Sequence, residues 1–212
     1  MTNTIALIGA LVAGIVPRQG PCRPEPLRAT MVATMVQRIR STHADTVTTS
    51  VQPEETATAA MRLGTRCVQL VTLRWDGLLD GGVIVYENSH VAGRPDIVFA
   101  DWYPGARRPQ VLTGGRFLFT WVSSTGTGTL VEDAVIMRPL GLSWAGVMTL
   151  TATRRIDVGG YSGPTPPTGS PFHFGSSFAA KGDTLIVTRS DSTGTAPGHA
   201  AVRVSQSRLI LP

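Results

Sequence analysis

Residues 66–75 read R-C-V-Q-L-V-T-L-R-W and residues 83–87 read V-I-V-Y-E, with D-G-L-L-D-G-G between them at 76–82. Two apolar, β-branched runs flank a cluster of Asp and Gly. Branching at Cβ suits a pleated surface, and Gly beside Asp supplies the backbone angles that a tight reversal needs. The pattern predicts a β-hairpin.

Working outward, similar runs recur at short spacing. Strands are expected at Asp96–Ala100, Arg116–Val122, Thr129–Met137, Leu142–Thr153, Asp183–Arg189 and Ala200–Leu211, with a weakly alternating one at Asp45–Val51 that Pro53 ends. The separators are Gly, Pro, Ser and Thr clusters such as S-S-T-G-T-G at 123–128. Val68, Leu70, Val83, Val85, Leu118 and Val187 lie on alternating or continuous apolar runs and are expected in the core. Glu54–Leu63 is the best helix candidate, because Pro53 and two acids stand at its start and Gly64 follows its end. Met31–Ile39 fits a short helix or a first strand equally well. Gly159–Gly175 is too rich in Pro and Gly for either. Eight or nine short strands with such turns predict an all-β protein and suit a sandwich or a jelly roll. No internal repeat of solenoid or propeller length is visible.

Composition agrees. The 212 residues include 23 Gly and 15 Pro, and only 16% are charged, against roughly 25% in an ordinary soluble domain. A surface so poor in charge is expected to be covered by partners. The basic residues are eighteen Arg and one Lys, Lys181. Residues 1–40 hold Arg18, Arg23, Arg28, Arg38 and Arg40 against Glu25, a net of +4; the other 172 residues hold fourteen basic and thirteen acidic side chains, a net of +1. Charge concentrated at one end points to a polyanion, nucleic acid before membrane surface. A solvated tail that arginines keep soluble is the plainer alternative.

The stretch before those arginines is apolar: Ile5–Val16 holds twelve apolar or small residues. A membrane-spanning helix needs about 20. A secretory signal needs a positive start, and Met1–Thr4 carries no side-chain charge. Residues 1–40 are therefore expected to form an extended arm held by neighbouring subunits, ahead of a domain at 41–212, with an uncleaved signal-like segment as the competing reading. Cys22 and Cys67 make no disulfide framework, and Cys67 is most simply a small buried apolar residue.

Signs of catalysis are scarce. His43, His90, His173 and His199 share no metal-ligand spacing. Gly160-Tyr-Ser-Gly163 lacks the strand–turn–helix context of a serine elbow, since Pro164 follows. No phosphate-cradling or dinucleotide motif occurs, so no cofactor and no enzymatic activity are expected. Asp76 and Asp80, with Asp96 or Asp101, would suit calcium, but Asp beside Gly more often makes a turn, and no metal site is expected. D-W-Y-P-G-A-R-R-P at 101–109 puts Trp102 and Tyr103 beside Arg107 and Arg108. That composition suits an interface hot spot or a stacking platform for a sugar or base, unless Trp102 belongs to the core.

An Arg-bearing N-terminal arm, a single domain of eight or more strands with Thr-rich turns, and a last strand running almost to the C-terminus together define an organisation. It resembles the coat proteins of small icosahedral positive-strand RNA viruses, of the sobemovirus or tymovirus kind, although the arm is less basic than in sobemoviruses. The resemblance implies an eight-stranded jelly-roll β-sandwich as the shell domain behind an extended N-terminal arm, assembly of many copies in the host-cell cytoplasm into virions, and single-stranded RNA bound by Arg18, Arg23, Arg28, Arg38 and Arg40. A host receptor would be a further partner, and no membrane is implied. The rival readings are a secreted or phage-borne β-sandwich that binds a receptor or glycan through Trp102 and Tyr103, and a hydrolase with an unseen site.

Overall fold

The hairpin around residues 66–87 forms and lies inside one of two sheets. The computed structural model describes residues 22–24, 26–42, 54–74, 81–88, 96–126, 128–156, 171–193 and 201–212. Helix α1 (Ala29–Thr42) precedes a four-stranded antiparallel sheet of β1 (Glu54–Leu63), β2 (Arg66–Arg74), β3 (Gly81–Asn88) and β4 (Asp96–Trp102), in that order. The rest of the chain builds a seven-stranded antiparallel sheet. Its strands are β5 (Arg107–Leu112), β6 (Arg116–Gly126), β7 (Thr129–Leu140), β8 (Ser143–Ile156), β9 (Pro171–Lys181), β10 (Thr184–Thr193) and β11 (Ala201–Ile210).

The all-β expectation holds, with two sheets stacked as in a sandwich. Its finer form, an eight-stranded jelly roll, is not confirmed: there are eleven strands among the described residues, and every ladder joins chain neighbours. A jelly roll interleaves strands of its two sheets. Here the short turns favour hairpin after hairpin, and each sheet is a meander. The expected strand Asp45–Val51 lies outside the described residues.

The helix expected at Glu54–Leu63 is strand β1. Its start and stop signals are helical, but Ala59 and Met61 are both buried on one face and the strand pairs with β2 along its length, Ala59 opposite Leu70 and Met61 opposite Val68. Pairing and burial outweigh a propensity difference that is only tenths of a kcal/mol per residue. Two strands were not expected. β5 carries Pro109, which has no N–H to donate to a ladder and is therefore tolerated on an edge strand, and among the described strands β5 ends the sheet order. β9 starts at Pro171, inside the Pro- and Gly-rich stretch read as neither helix nor strand.

Strands β2 and β3 are apolar on both faces. Val68, Leu70, Val83 and Val85 pack towards Phe117, Phe119, Val135, Met137 and Trp144 of the second sheet. Their neighbours Val71, Leu73, Ile84 and Tyr86 point the other way, onto Met31, Met35 and Ile39. Those three are four residues apart, one stripe of a helix, which settles Met31–Ile39 as α1. All six expected core residues are buried.

The seven-stranded sheet coils. Leu118 and Ile136, on the faces of β6 and β7 turned away from the first sheet, share a cluster with Leu185 and Val187 of β10 and with Leu211. In the sheet order β10 lies four ladder steps from β6, about 19 Å on a flat sheet at ~4.8 Å per step, so contact requires the sheet to roll over its own outer face. Arg116 fastens the roll: its Nη2 and Nε donate to the Pro212 carbonyl at 2.7 and 3.1 Å, and its Nη1 lies 3.5 Å from Asp183.

Cys22 and Cys67 form a disulfide, with Cα atoms 5.6 Å apart. This corrects the reading of Cys67 as an unpaired apolar residue. The 45-residue separation hid the pairing, which exists because α1 returns the chain to β2. Within the stretch expected to be an extended arm, residues 29–42 are helix and residue 22 is bonded to the sheet. Closing a loop of this length stabilises a fold by about 2–4 kcal/mol in the chain-entropy account. Urea denaturation of Cys22→Ser/Cys67→Ser, or of the reduced protein, is expected to show that loss. Equal midpoints for oxidised and reduced protein would contradict it.

Candidate interaction surfaces

Of the five arginines expected to meet nucleic acid, Arg18 lies outside the described residues. Arg23 and Arg28 are exposed ahead of α1. Arg38 is exposed on α1 and donates from Nη1 to the Ile97 carbonyl at 2.8 Å, so it binds the helix to β4. Arg40 sits near the end of α1. The paired arginines 107 and 108 differ in kind. Arg107 is held by Glu132, whose Oε1 accepts from Nε at 2.6 Å and from Nη2, while Thr153 donates to Oε2 at 2.6 Å. This buried carboxylate is thus fully engaged, and Arg107 belongs to the structure. Arg108 is exposed, with φ of 56° at the irregularity between Arg107 and Gln110. Of the aspartates considered for calcium, Asp76 and Asp80 lie outside the described residues, and the Asp101 carboxylate accepts the Trp102 backbone N–H at 2.8 Å. Among the described residues no group of three or more His, Cys, Asp or Glu is placed to hold a metal ion, and no helix is long and apolar enough to cross a membrane.

Strand β11 is the most exposed element of the second sheet. It pairs with β10 along one edge, Arg203 opposite Asp191 and Ser207 opposite Val187, and it ends the sheet order. Residues 201–208 are exposed on both faces. Val202 and Val204 are 67% and 65% exposed, and Ile210 80%. An edge that no described strand pairs, with outward valines, is a template for another strand, which monomeric proteins usually block with charge, proline or a covering loop. Arg203 and Arg208 are the only charges on β11.

A third surface lies where the two sheets end together. Trp102 closes β4, Trp121 stands on β6, and Tyr103-Pro104-Gly105-Ala106 joins the sheets between them. Three backbone hydrogen bonds fix that joint: Tyr103 N to Gly81 O at 3.0 Å, Ala106 N to Tyr103 O at 3.1 Å, and Val122 N to Pro104 O at 2.8 Å. Trp102, Pro104, Trp121, Val122, Ser123, Ser124 and Thr125 line a cavity of about 330 Å³. The Tyr103 ring is not in that lining. It packs edge-on against Trp121 and Phe119, centroids 5.3 and 4.9 Å away.

The aromatic stretch 101–109 was conspicuous in the sequence. What sequence reasoning missed is that its partner is Trp121, read there as one residue of a core strand. Only the topology brings β6 beside the end of β4. The exposure of β11 had no signal either, because its apolar residues read as an ordinary strand.

Burial, and secondarily the charge of Asp101, push the Tyr103 phenol above its ordinary value of 10.0. The folded state therefore holds this proton more tightly than the unfolded chain. Its contribution is complete below pH 10 and is lost as pH rises through the folded value. Alkaline denaturation of Tyr103→Phe is expected to begin at higher pH than that of the parent protein; identical alkaline limbs would contradict the shift. Comparison of the whole chain with protein-family models, with curated proteins and with solved structures finds no match.

Proposed function

We propose that the chain is a structural protein that assembles with many copies of itself: a viral coat protein that forms an icosahedral shell and holds single-stranded RNA. The observation that carries this reading is strand β11, exposed on both faces and, among the described residues, unpaired along its outer edge. An edge of this kind is stable in solution only when something covers it. A neighbouring copy does so at every site of a closed shell. The low charge of the surface and the cationic N-terminal residues fit the same picture, the first through contacts between copies and the second through phosphate. The reading does not need jelly-roll connectivity. It needs a rigid two-sheet body with edges that other copies can meet. Disulfides persist on virion surfaces and are rare in the reducing cytosol, so in this reading the chain assembles in the host cytoplasm and the Cys22–Cys67 bridge closes in the released particle. The rival reading, a receptor- or glycan-binding module with no assembly, would leave β11 bare.

Analytical ultracentrifugation and negative-stain microscopy of the purified chain test the proposal. Closed particles are expected from the parent protein. Val202→Lys/Val204→Lys is expected to give folded but unassembled chains, because like charges facing across a strand pair oppose pairing. A parent protein that stays monomeric when concentrated would sink the reading, and particles from the double variant would remove β11 from it.

Nucleic-acid content tests the second half. Replacing Arg18, Arg23, Arg28, Arg38 and Arg40 with Gln is expected to lower the ultraviolet absorbance ratio of intact particles. RNA affinity of the parent is expected to fall with salt at a log–log slope of about −0.7 per neutralised phosphate. Unchanged RNA content would assign RNA binding elsewhere.

A further inference from the structure

The geometry points to a sugar-binding site between Trp102 and Trp121: we propose that this cavity takes a neutral pyranose ring. The inference is independent of shell assembly. Its first basis is the composition of the wall. Two indoles, Pro104 and Val122 supply apolar surface, and Ser123, Ser124 and Thr125 add hydroxyls, with Ser124 and Thr125 exposed at the rim. A pyranose has the matching division: a C–H face that packs on an aromatic ring and a rim of hydroxyls that exchange hydrogen bonds.

The second basis is an unsatisfied donor. The Trp121 Nε1 is buried and has no acceptor among the described residues. Buried indole N–H groups nearly always find a partner, and leaving one without costs about 1–3 kcal/mol. Trp121 forms part of the cavity wall, so a bound hydroxyl or ring oxygen is the partner the fold itself does not supply.

Charge and size narrow the ligand. No lining residue among the described residues is charged. A nucleotide would bring a phosphate needing Arg, Lys or a row of backbone N–H groups, and the described cavity wall contains no Arg or Lys. At about 330 Å³ the cavity falls at the small end of the ~300–1,000 Å³ usual for small-molecule sites. It suits the tip of a glycan, whether free or carried on a protein. The site is also preorganised. Tyr103 stands edge-on to Trp121 with its ring plane turned by 83°, and the Val122 N–H bond to Pro104 ties the two walls together, so little ordering has to accompany binding.

Saturation-transfer difference NMR tests this on the full chain, assembled or not. The probes are methyl glycosides of glucose, galactose, mannose and N-acetylglucosamine, with adenosine and uridine as competing stackers. At least one glycoside is expected to bind saturably and more tightly than either nucleoside. A glycoprotein carrying that sugar at its glycan terminus, tested beside the free glycoside, separates the two sources. Trp121→Phe keeps an aromatic wall and removes the N–H. It is expected to weaken binding about three- to tenfold. Trp102→Ala is expected to weaken it about tenfold or more. Should Trp102→Ala fail to fold by circular dichroism, Thr125→Val at the exposed rim takes its place, with a loss of about threefold expected. Absence of saturable binding by all four glycosides, unchanged affinity in the variants, or tighter binding of a nucleoside would overturn the proposal.

Discussion

Strands β2 and β3 are apolar on both faces, and a sheet of that kind can exclude water only if each face is covered. This demand organises the molecule. The seven-stranded sheet satisfies it on one side, through Phe117, Phe119 and Met137. On the other side a single helix does so, through Met31, Met35 and Ile39. Each fully buried apolar side chain is worth about 1.5–3 kcal/mol relative to exposure, so neither cover is dispensable to a domain of ordinary stability. The helix has a short reach, and Arg38 bonded to the Ile97 carbonyl and Cys22 bonded to Cys67 hold its two ends against the sheet.

Among the described residues, the second sheet meets the same demand without another layer. Its outward side chains, Leu118, Ala134 and Ile136, are covered by its own last strands after the sheet rolls over. Rolling uses up the apolar length of β10 and β11 at one end only. Leu185, Val187 and Leu209 lie at the end that folds over the body, whereas residues 201–206 lie beyond it and are exposed on both faces. The exposed edge is thus the geometric remainder of a sheet covering itself. The buried carboxylates Glu87 and Glu132 follow the same logic. Each is engaged by an arginine, Arg66 and Arg107 respectively, because a charge inside layers that admit no water has to be paired.

Much of this was legible in the chain. Runs such as Arg66–Trp75 and Arg116–Val122 carry their strand identity locally, in branched and aromatic residues bounded by Gly, and the all-β class follows from them. Glu54–Leu63 shows where local reading ends: its termini look helical, and only the neighbouring edge of β2 makes it a strand. Connectivity was harder still, since short turns fit meanders and interleaved sheets alike until the partner of each strand is known. The candidate sites were half visible. Trp102 and Tyr103 stood out by composition, but Tyr103 turned inward onto Phe119 while Trp121, 18 residues on, took its place at the cavity. Nothing periodic marked the distant pairing of Cys22 with Cys67.

That sulfur bridge also decides how the molecule carries mechanical load. Tension arriving from residues before Cys22 passes through the bridge into β2, near the middle of the first sheet, where ladders to β1 and β3 share it in shear. Helix α1 lies within the closed loop and off that path, so it cannot be peeled from the sheet by a pull on the N-terminal segment. With the cysteines reduced, the same pull would reach the helix first and strip it away turn by turn, uncovering Val71, Ile84 and Tyr86. The redox state of one bond therefore selects whether the chain behaves under strain as a rigid block or as a body with a detachable cover.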